Sequence, residues 1–338
     1  MRKERLVPRR EARLTAIVIS REGILLAAFA LLVMVFTAVF VSSLDEVRRA
    51  FYGVRPGVTI EGREVAGLLS PEVRRIVEAM AERERVAPKD AMFFKETGEI
   101  IAEEPGTDID VDRTVAAVMQ AKPGEAVELA RVTIVPTITR RLFNPVCRVE
   151  TDQKVMALAV NVAWGEEHLP AMLEVLRAHN VRATFFLDGE WASKRPESVK
   201  LLVDEGHDIA NHGAKHVHVA KMGEAEIRDL ILRNEEIIGR LGATPRKLFA
   251  PPYGECNQAV TSAAASVGYA TIMWTIDTID WKTSDPEKVV ARVVRKMAPG
   301  AIILMHPVEV TNKALPVVIE EARKNGYQFA TISELLGD

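Results

Sequence analysis

The chain has 338 residues, with 44 Lys or Arg against 47 Asp or Glu and two cysteines. That length exceeds one typical domain and buries a core without needing disulfides. Its balanced, dispersed charge lacks the clustered basic footprint of a nucleic-acid binder, which excludes nucleic acid as an expected partner. Cys147 and Cys256 are too few to define a disulfide framework and read as two independent thiols.

The first element is an apolar helix. No residue from Gly23 to Leu44 is charged, and about 20 apolar helical residues span a hydrocarbon core of roughly 30 Å. Arg2, Lys3, Arg5, Arg9, Arg10, Arg13 and Arg21 outnumber Glu4, Glu11 and Glu22 before it. The positive-inside rule therefore predicts a cytoplasmic tail over 1–23, a single-pass anchor over 24–44 in the cell membrane, and extracytoplasmic domains beyond. The run is long for a signal peptide and no small-residue cleavage site follows Phe40, so a retained anchor is expected.

Residues 50–140 predict a small α+β domain. Ser70-Pro71 reads as a helix start, and Val73, Ile76, Val77 and Met80 give the helix, to about Glu84, one apolar face. Ala91–Phe94 and Glu99–Ala102 flank Thr97-Gly98 as a hairpin. A second helix over Asp110–Gln120 and a strand over Val127–Val135 complete it. The segments Gly57–Gly62, Asp90-Ala91 and Gly106–Asp110 are similar to small peptidoglycan-binding domains of bacterial wall enzymes.

From Val155 strand and helix alternate. The expected strands are Val155–Asn161, Arg182–Leu187, Asp208–Ala210, Leu248–Ala250, Ala270–Trp274, Ala301–Met305 and Gln328–Thr331. Seven such units predict a parallel barrel or a doubly wound sheet. In a barrel the strand ends share one rim, which would gather Asn161, His212, His216, Pro252, Tyr253, Asp277, Asp280, Trp281 and His306. His212 and His216 lie four residues apart past a strand end, a spacing able to present two imidazoles to one zinc ion. On spacing alone they read first as satisfied polar groups, and convergence with His306 and Tyr253 favours the metal reading.

The segments Ala183–Phe186, Gly206–His212, Pro251–Gly254, Trp274–Trp281 and Leu304–Pro307 occur in the order found in polysaccharide deacetylases, the NodB-homology or carbohydrate esterase family 4 (CE4) type, and residues 151–338 resemble that domain. Asn161–Gly165 resembles its sporulation-associated subgroup. The resemblance implies a distorted (β/α)7 barrel that removes N-acetyl groups from cell-wall glycan with a divalent metal, zinc as the expected ion. In active members an Asp and two histidines hold the metal, a second Asp is the base, and a later histidine protonates the leaving amine. Carried over, His212 and His216 are the metal histidines, His306 the acid, Asp280 its partner, Pro252, Trp281 and Leu304 pocket residues, and the Tyr253 N–H an oxyanion donor.

The base position is Asn161, the metal-carboxylate position Val162, the Arg position Ala250, and Gly213 replaces a usual Ser or Thr. A neutral residue at 161 has no use for the missing Arg, whose unpaired charge would be destabilising. Two readings stay open: a hydrolase with a modified metal site, and a glycan-binding protein without turnover. Elsewhere, Glu166, Glu167 and His168 read as a helix start, Asp277 as a loop hydrogen-bonder or replacement ligand, and Glu255 as solvated. Trp164 and Trp191 read as packing residues ahead of sugar platforms, His179 and His218 as surface or loop residues, and His207 as structural.

Overall fold

The structure is a computed structural model that describes residues 21–337; the tail expected over 1–23 falls almost wholly outside them. A helix over Arg21–Tyr52 contains the expected span, with mean hydropathy 3.0 across its most apolar 18-residue window and no buried residue.

The chain divides into two units, Met1–Val86 with Thr107–Thr133, and Ala87–Gly106 with Ile134–Asp338. The first packs helices Ser70–Glu84 and Val111–Gln120 around Val58, Ile60, Val73, Val77, Val115 and Val118. The first helix starts one residue earlier than its Ser-Pro signal implies. Leu69 is the N-cap, and Glu72 reaches back to accept the Leu69 N–H at 2.8 Å. Asp110 caps the second helix as expected, accepting from the Arg113 N–H at 2.9 Å. The expected hairpin forms as Met92–Phe94 paired with Glu99–Ile101 but belongs to the second unit, where Phe93 and Ile100 pack with Phe143 and Ala265. The small domain is therefore not the continuous stretch 50–140.

The second unit is built on eight parallel strands, β1 Val155–Val162, β2 Thr184–Leu187, β3 Asp208–Asn211, β4 Leu248–Phe249, β5 Ala270–Thr271, β6 Ile276–Asp277, β7 Ile302–Met305 and β8 Gln328–Ala330. Their order is β5-β4-β3-β2-β1-β7-β6, with β8 pairing the start of β1. The expected distorted (β/α)7 barrel is found as a curled, open half-barrel with eight strands in place of seven. β5 and β6 stand at opposite edges, yet only Ile272–Thr275 connects them, a span of at most about 18 Å. That short tether forces the sheet to curl; the strand expected over Ala270–Trp274 ends at Thr271, and a further strand, β6, follows at Ile276.

Side-chain alternation builds the layers. Along β1, Met156, Leu158, Val160 and Val162 join the core under the outer helices, while Ala157 and Ala159 face the inside with Phe186, Ala210 and Ala250. Small residues on the inner face allow tight curvature. Both faces are buried, as in parallel sheets generally.

Candidate active-site groove

The carboxyl ends of these strands surround a cavity of about 990 Å3, lined by Asn161, Trp164, His212, His216, Tyr253, Asp277, Asp280, Trp281, Leu304 and His306 among others. The rim expected from the sequence is therefore brought together except for Pro252, which is buried and absent from the lining, and Val162 also lies outside it. β1 stays regular to its end, so Asn161 and Val162 face opposite sides. Asn161 lines the cavity and its buried Oδ1 has no hydrogen-bond partner. Val162 is fully buried in the apolar core with Val160, Leu187 and Met305.

The histidine loop is held by amides. Asn211 Oδ1 accepts the Gly213 N–H at 2.8 Å and the Asn234 Nδ2–H at 2.9 Å, and Asn211 Nδ2 donates to Ile231 O at 2.8 Å. Gly213 has φ +86, and a Cβ there would lie 3.0 Å from Leu230, so a Ser or Thr brace does not suit this loop. His212 Nδ1 is 2.7 Å from Ala250 O. A carbonyl only accepts, so Nδ1 carries the proton and Nε2 the lone pair. Burial lowers the His212 pKa to about 3 and also lowers that of His216, so both rings are neutral near pH 7.

Two neutral imidazoles suit a zinc ion, but a catalytic zinc site takes three protein ligands plus water. Among the described residues no three His, Cys, Asp or Glu gather to hold a metal. Glu166 is paired with Arg195, Glu167 lies 3.5 Å from His168, and Asp277 accepts the Ile279 N–H at 2.8 Å. The helix after this loop begins only at Leu169, with His168 at its N-cap, so the glutamates sit in the preceding turn. The residues present do not fit the family's metal.

The acid side is built. Asp280 Oδ1 lies 2.8 Å from His306 Nδ1, and Oδ2 accepts the His306 N–H and the Thr311 hydroxyl. Burial opposes ionisation of Asp280, but the His306 hydrogen bond and charge with the Thr311 hydroxyl outweigh it and hold the carboxyl below its usual range. Ile279 beside it has φ +50, an uncommon conformation for a β-branched residue.

The aromatic side holds features missed in the sequence. Trp164 is 40% exposed and stacks on His306 with ring centroids 4.9 Å apart, so it is a groove wall, not packing. Gly165 permits this, since a Cβ there would meet Pro307 O at 2.1 Å. Tyr253 has φ +60, stacks on His218 at 4.2 Å and meets the His216 ring edge-on at 4.3 Å. Glu255 is not simply solvated: it bonds His218 Nδ1 at 2.7 Å and the Ala220 N–H at 3.0 Å, bracing that stack. Their separation in sequence left no signal for this clamp. Trp191 is buried as expected, His207 Nδ1 accepts the Ala183 N–H at 3.2 Å, and His179 bonds Val175 O within its own helix end. Cys147 and Cys256 are free thiols.

An α/β half-barrel with a buried His-Asp pair, two histidines and an aromatic-walled groove at its strand ends defines a hydrolase-type glycan fold. The polysaccharide deacetylase profile matches residues 148–272. A peptidoglycan-N-acetylglucosamine deacetylase of Bacillus cereus strain ATCC 14579 is 32% identical over 194 residues, 56% of this chain and 91% of that protein. This chain belongs to the polysaccharide deacetylase family. The uncharacterized protein YlxY of Bacillus subtilis strain 168 is 38% identical over 196 residues, 58% of this chain and 61% of its own length. Among solved structures, wild-type BA3943 of Bacillus anthracis, a CE4 family pseudoenzyme, is 32% identical with TM-score 0.56, covering 78% of this chain and 94% of that one. A mutant of BA3943 with restored enzymatic activity aligns equally, at 31% identity and TM-score 0.56 over 78% of this chain and 97% of that one.

Proposed function

We propose that this chain is a membrane-anchored, catalytically silent deacetylase-fold protein that binds N-acetylated cell-wall glycan. The observation that carries it is the pair Asn161 and Val162. A carboxamide with an unfilled acceptor faces the cavity where a base would act, and the residue at the metal-carboxylate position is turned into the core. A positioned general base contributes roughly 10²–10⁴ in rate, and a carboxamide has no basic lone pair near neutral pH. What remains suits recognition: exposed Tyr253 and Trp281, the Trp164 wall, and polar groups beneath. Peptidoglycan deacetylases among the relatives support cell-wall glycan as the ligand. The BA3943 pseudoenzyme supports loss of turnover within this fold. The apolar N-terminal helix, continuing to Tyr52 in the small unit, supports anchoring with the groove outside the membrane. The similarity of Asn161–Gly165 to a sporulation-associated subgroup supports a role in sporulation.

The test is titration of the full-length protein in detergent with N-acetylglucosamine oligomers and solubilised peptidoglycan. Saturable binding that weakens at least about tenfold in Trp164→Ala is expected, by the loss of a large aromatic contact. No binding to either glycan overturns the reading.

A further inference from the structure

A second cavity, of about 590 Å3, adjoins the groove, and Trp164 and His216 line both, so the two share a wall. Its lining includes Asp188, which directly follows β2, and Trp191 on the helix Gly189–Lys194. These side chains are only 3% and 6% exposed. Asp188 Oδ1 accepts the Trp191 backbone N–H at 2.9 Å, and the buried Asp188 Oδ2 and Trp191 indole N–H have no hydrogen-bond partner among the described residues. Buried polar groups are seldom left unpaired, so one acceptor and one donor here await a ligand.

The charges around the cavity say what kind of ligand fits. Glu166 pairs with Arg195, Glu190 pairs with Lys215 at 3.1 Å, and the Lys194 charge acts on Asp188. The lining carries three carboxylates, Glu166, Asp188 and Glu190, against three cations, Lys194, Arg195 and Lys215, so no excess of either sign recruits an ion. A neutral ligand that both donates and accepts hydrogen bonds meets the two orphan atoms, and sugar hydroxyls do both. The volume lies within the ordinary range for small-molecule sites. We propose that this cavity is a second saccharide subsite, taking one further hydroxylated ring of a glycan whose two preceding rings fill the main groove across Trp164. The inference rests on the glycan-binding reading above.

The full-length protein in detergent is titrated with the N-acetylglucosamine dimer and tetramer. Wild type is expected to bind the tetramer about tenfold more tightly, the gain of two hydrogen bonds. Asp188→Asn retains the helix cap but replaces the free oxygen with N–H, and Trp191→Phe removes the indole N–H. Both are expected to bind the dimer as wild type does and to lose most of the tetramer gain. Equal affinity of wild type for dimer and tetramer, or a gain that survives in both variants, overturns the subsite and leaves glycan binding intact. Failure to bind either oligomer overturns both.

Discussion

One oxygen of Asp280 lies 2.8 Å from His306 Nδ1, while its other oxygen takes the backbone N–H of the same histidine at 2.7 Å. The Thr311 hydroxyl, 2.6 Å from that second oxygen, completes a buried carboxylate that grips one residue at two points. This grip fixes the imidazole whether or not the site turns over. Asp280→Asn is expected to lower stability by roughly 1–3 kcal/mol, the cost of breaking buried charge-assisted bonds. Thermal unfolding measures it, and an unchanged midpoint would show that the pair does not hold the ring.

Trp164 reaches His306 only because Gly165 turns the chain against Pro307. Gly165→Ala combines a positive φ with a Cβ 2.1 Å from a carbonyl oxygen. The loop must therefore shift, and glycan affinity is expected to fall roughly tenfold with a modest loss of stability. Isothermal titration against the tetramer checks this; full affinity would mean that the Trp164 wall is dispensable.

Val162 is a core residue here, so Val162→Asp alone buries an unpaired carboxylate. A loss of roughly 2–4 kcal/mol is expected in chelator. Zinc is expected to recover part of it by linkage only by drawing the carboxylate at 162 out of the core toward His212 and His216. A variant as stable as the parent in chelator would contradict the burial argument.

Two buried groups give opposite pH signatures. Burial lowers the His207 pKa to about 4, below its unfolded value, so its contribution is present above roughly pH 6.5 and is lost as pH falls toward 4. Burial pushes the Asp188 carboxyl up to about 6, so its contribution is present below roughly pH 4 and is lost as pH rises through 6. His207→Gln should flatten the acid side of the stability profile, and Asp188→Asn should raise stability selectively above pH 6. Melting temperatures from pH 4.5 to 8 decide it; profiles parallel to the parent's would count against both assignments.

The rim of the groove was legible because strand-helix alternation puts every strand end on one side, which brought Asn161, His212, Tyr253, Asp280 and His306 together without any knowledge of the fold's details. The open edge was not legible. Ala270–Trp274 has the composition of one strand but forms one only over Ala270–Thr271, and the short strand Ile276–Asp277 beyond it is defined only by its tertiary pairing with Ile303 and Leu304. The direction of Val162 follows from simple alternation along β1. Trp164 and the Glu255–His218 clamp were misjudged because their roles come from contacts between residues far apart in sequence. Asp188 looks like an ordinary helix cap, and its second oxygen becomes notable only once the surrounding burial is known.

The central claim is that the groove holds N-acetylated glycan without cleaving it because its base and third metal ligand are gone. Acetate release from N-acetylglucosamine oligomers, with zinc supplied, tests this in the parent and in an Asn161→Asp, Val162→Asp, Ala250→Arg triple variant. The account predicts no release above background and no stoichiometric zinc in the parent, with both gained in the triple variant, whose carboxylate at 162 must turn out of the core to reach His212 and His216. Zinc-loaded parent protein that releases acetate, and loses that activity in His306→Ala, would contradict it.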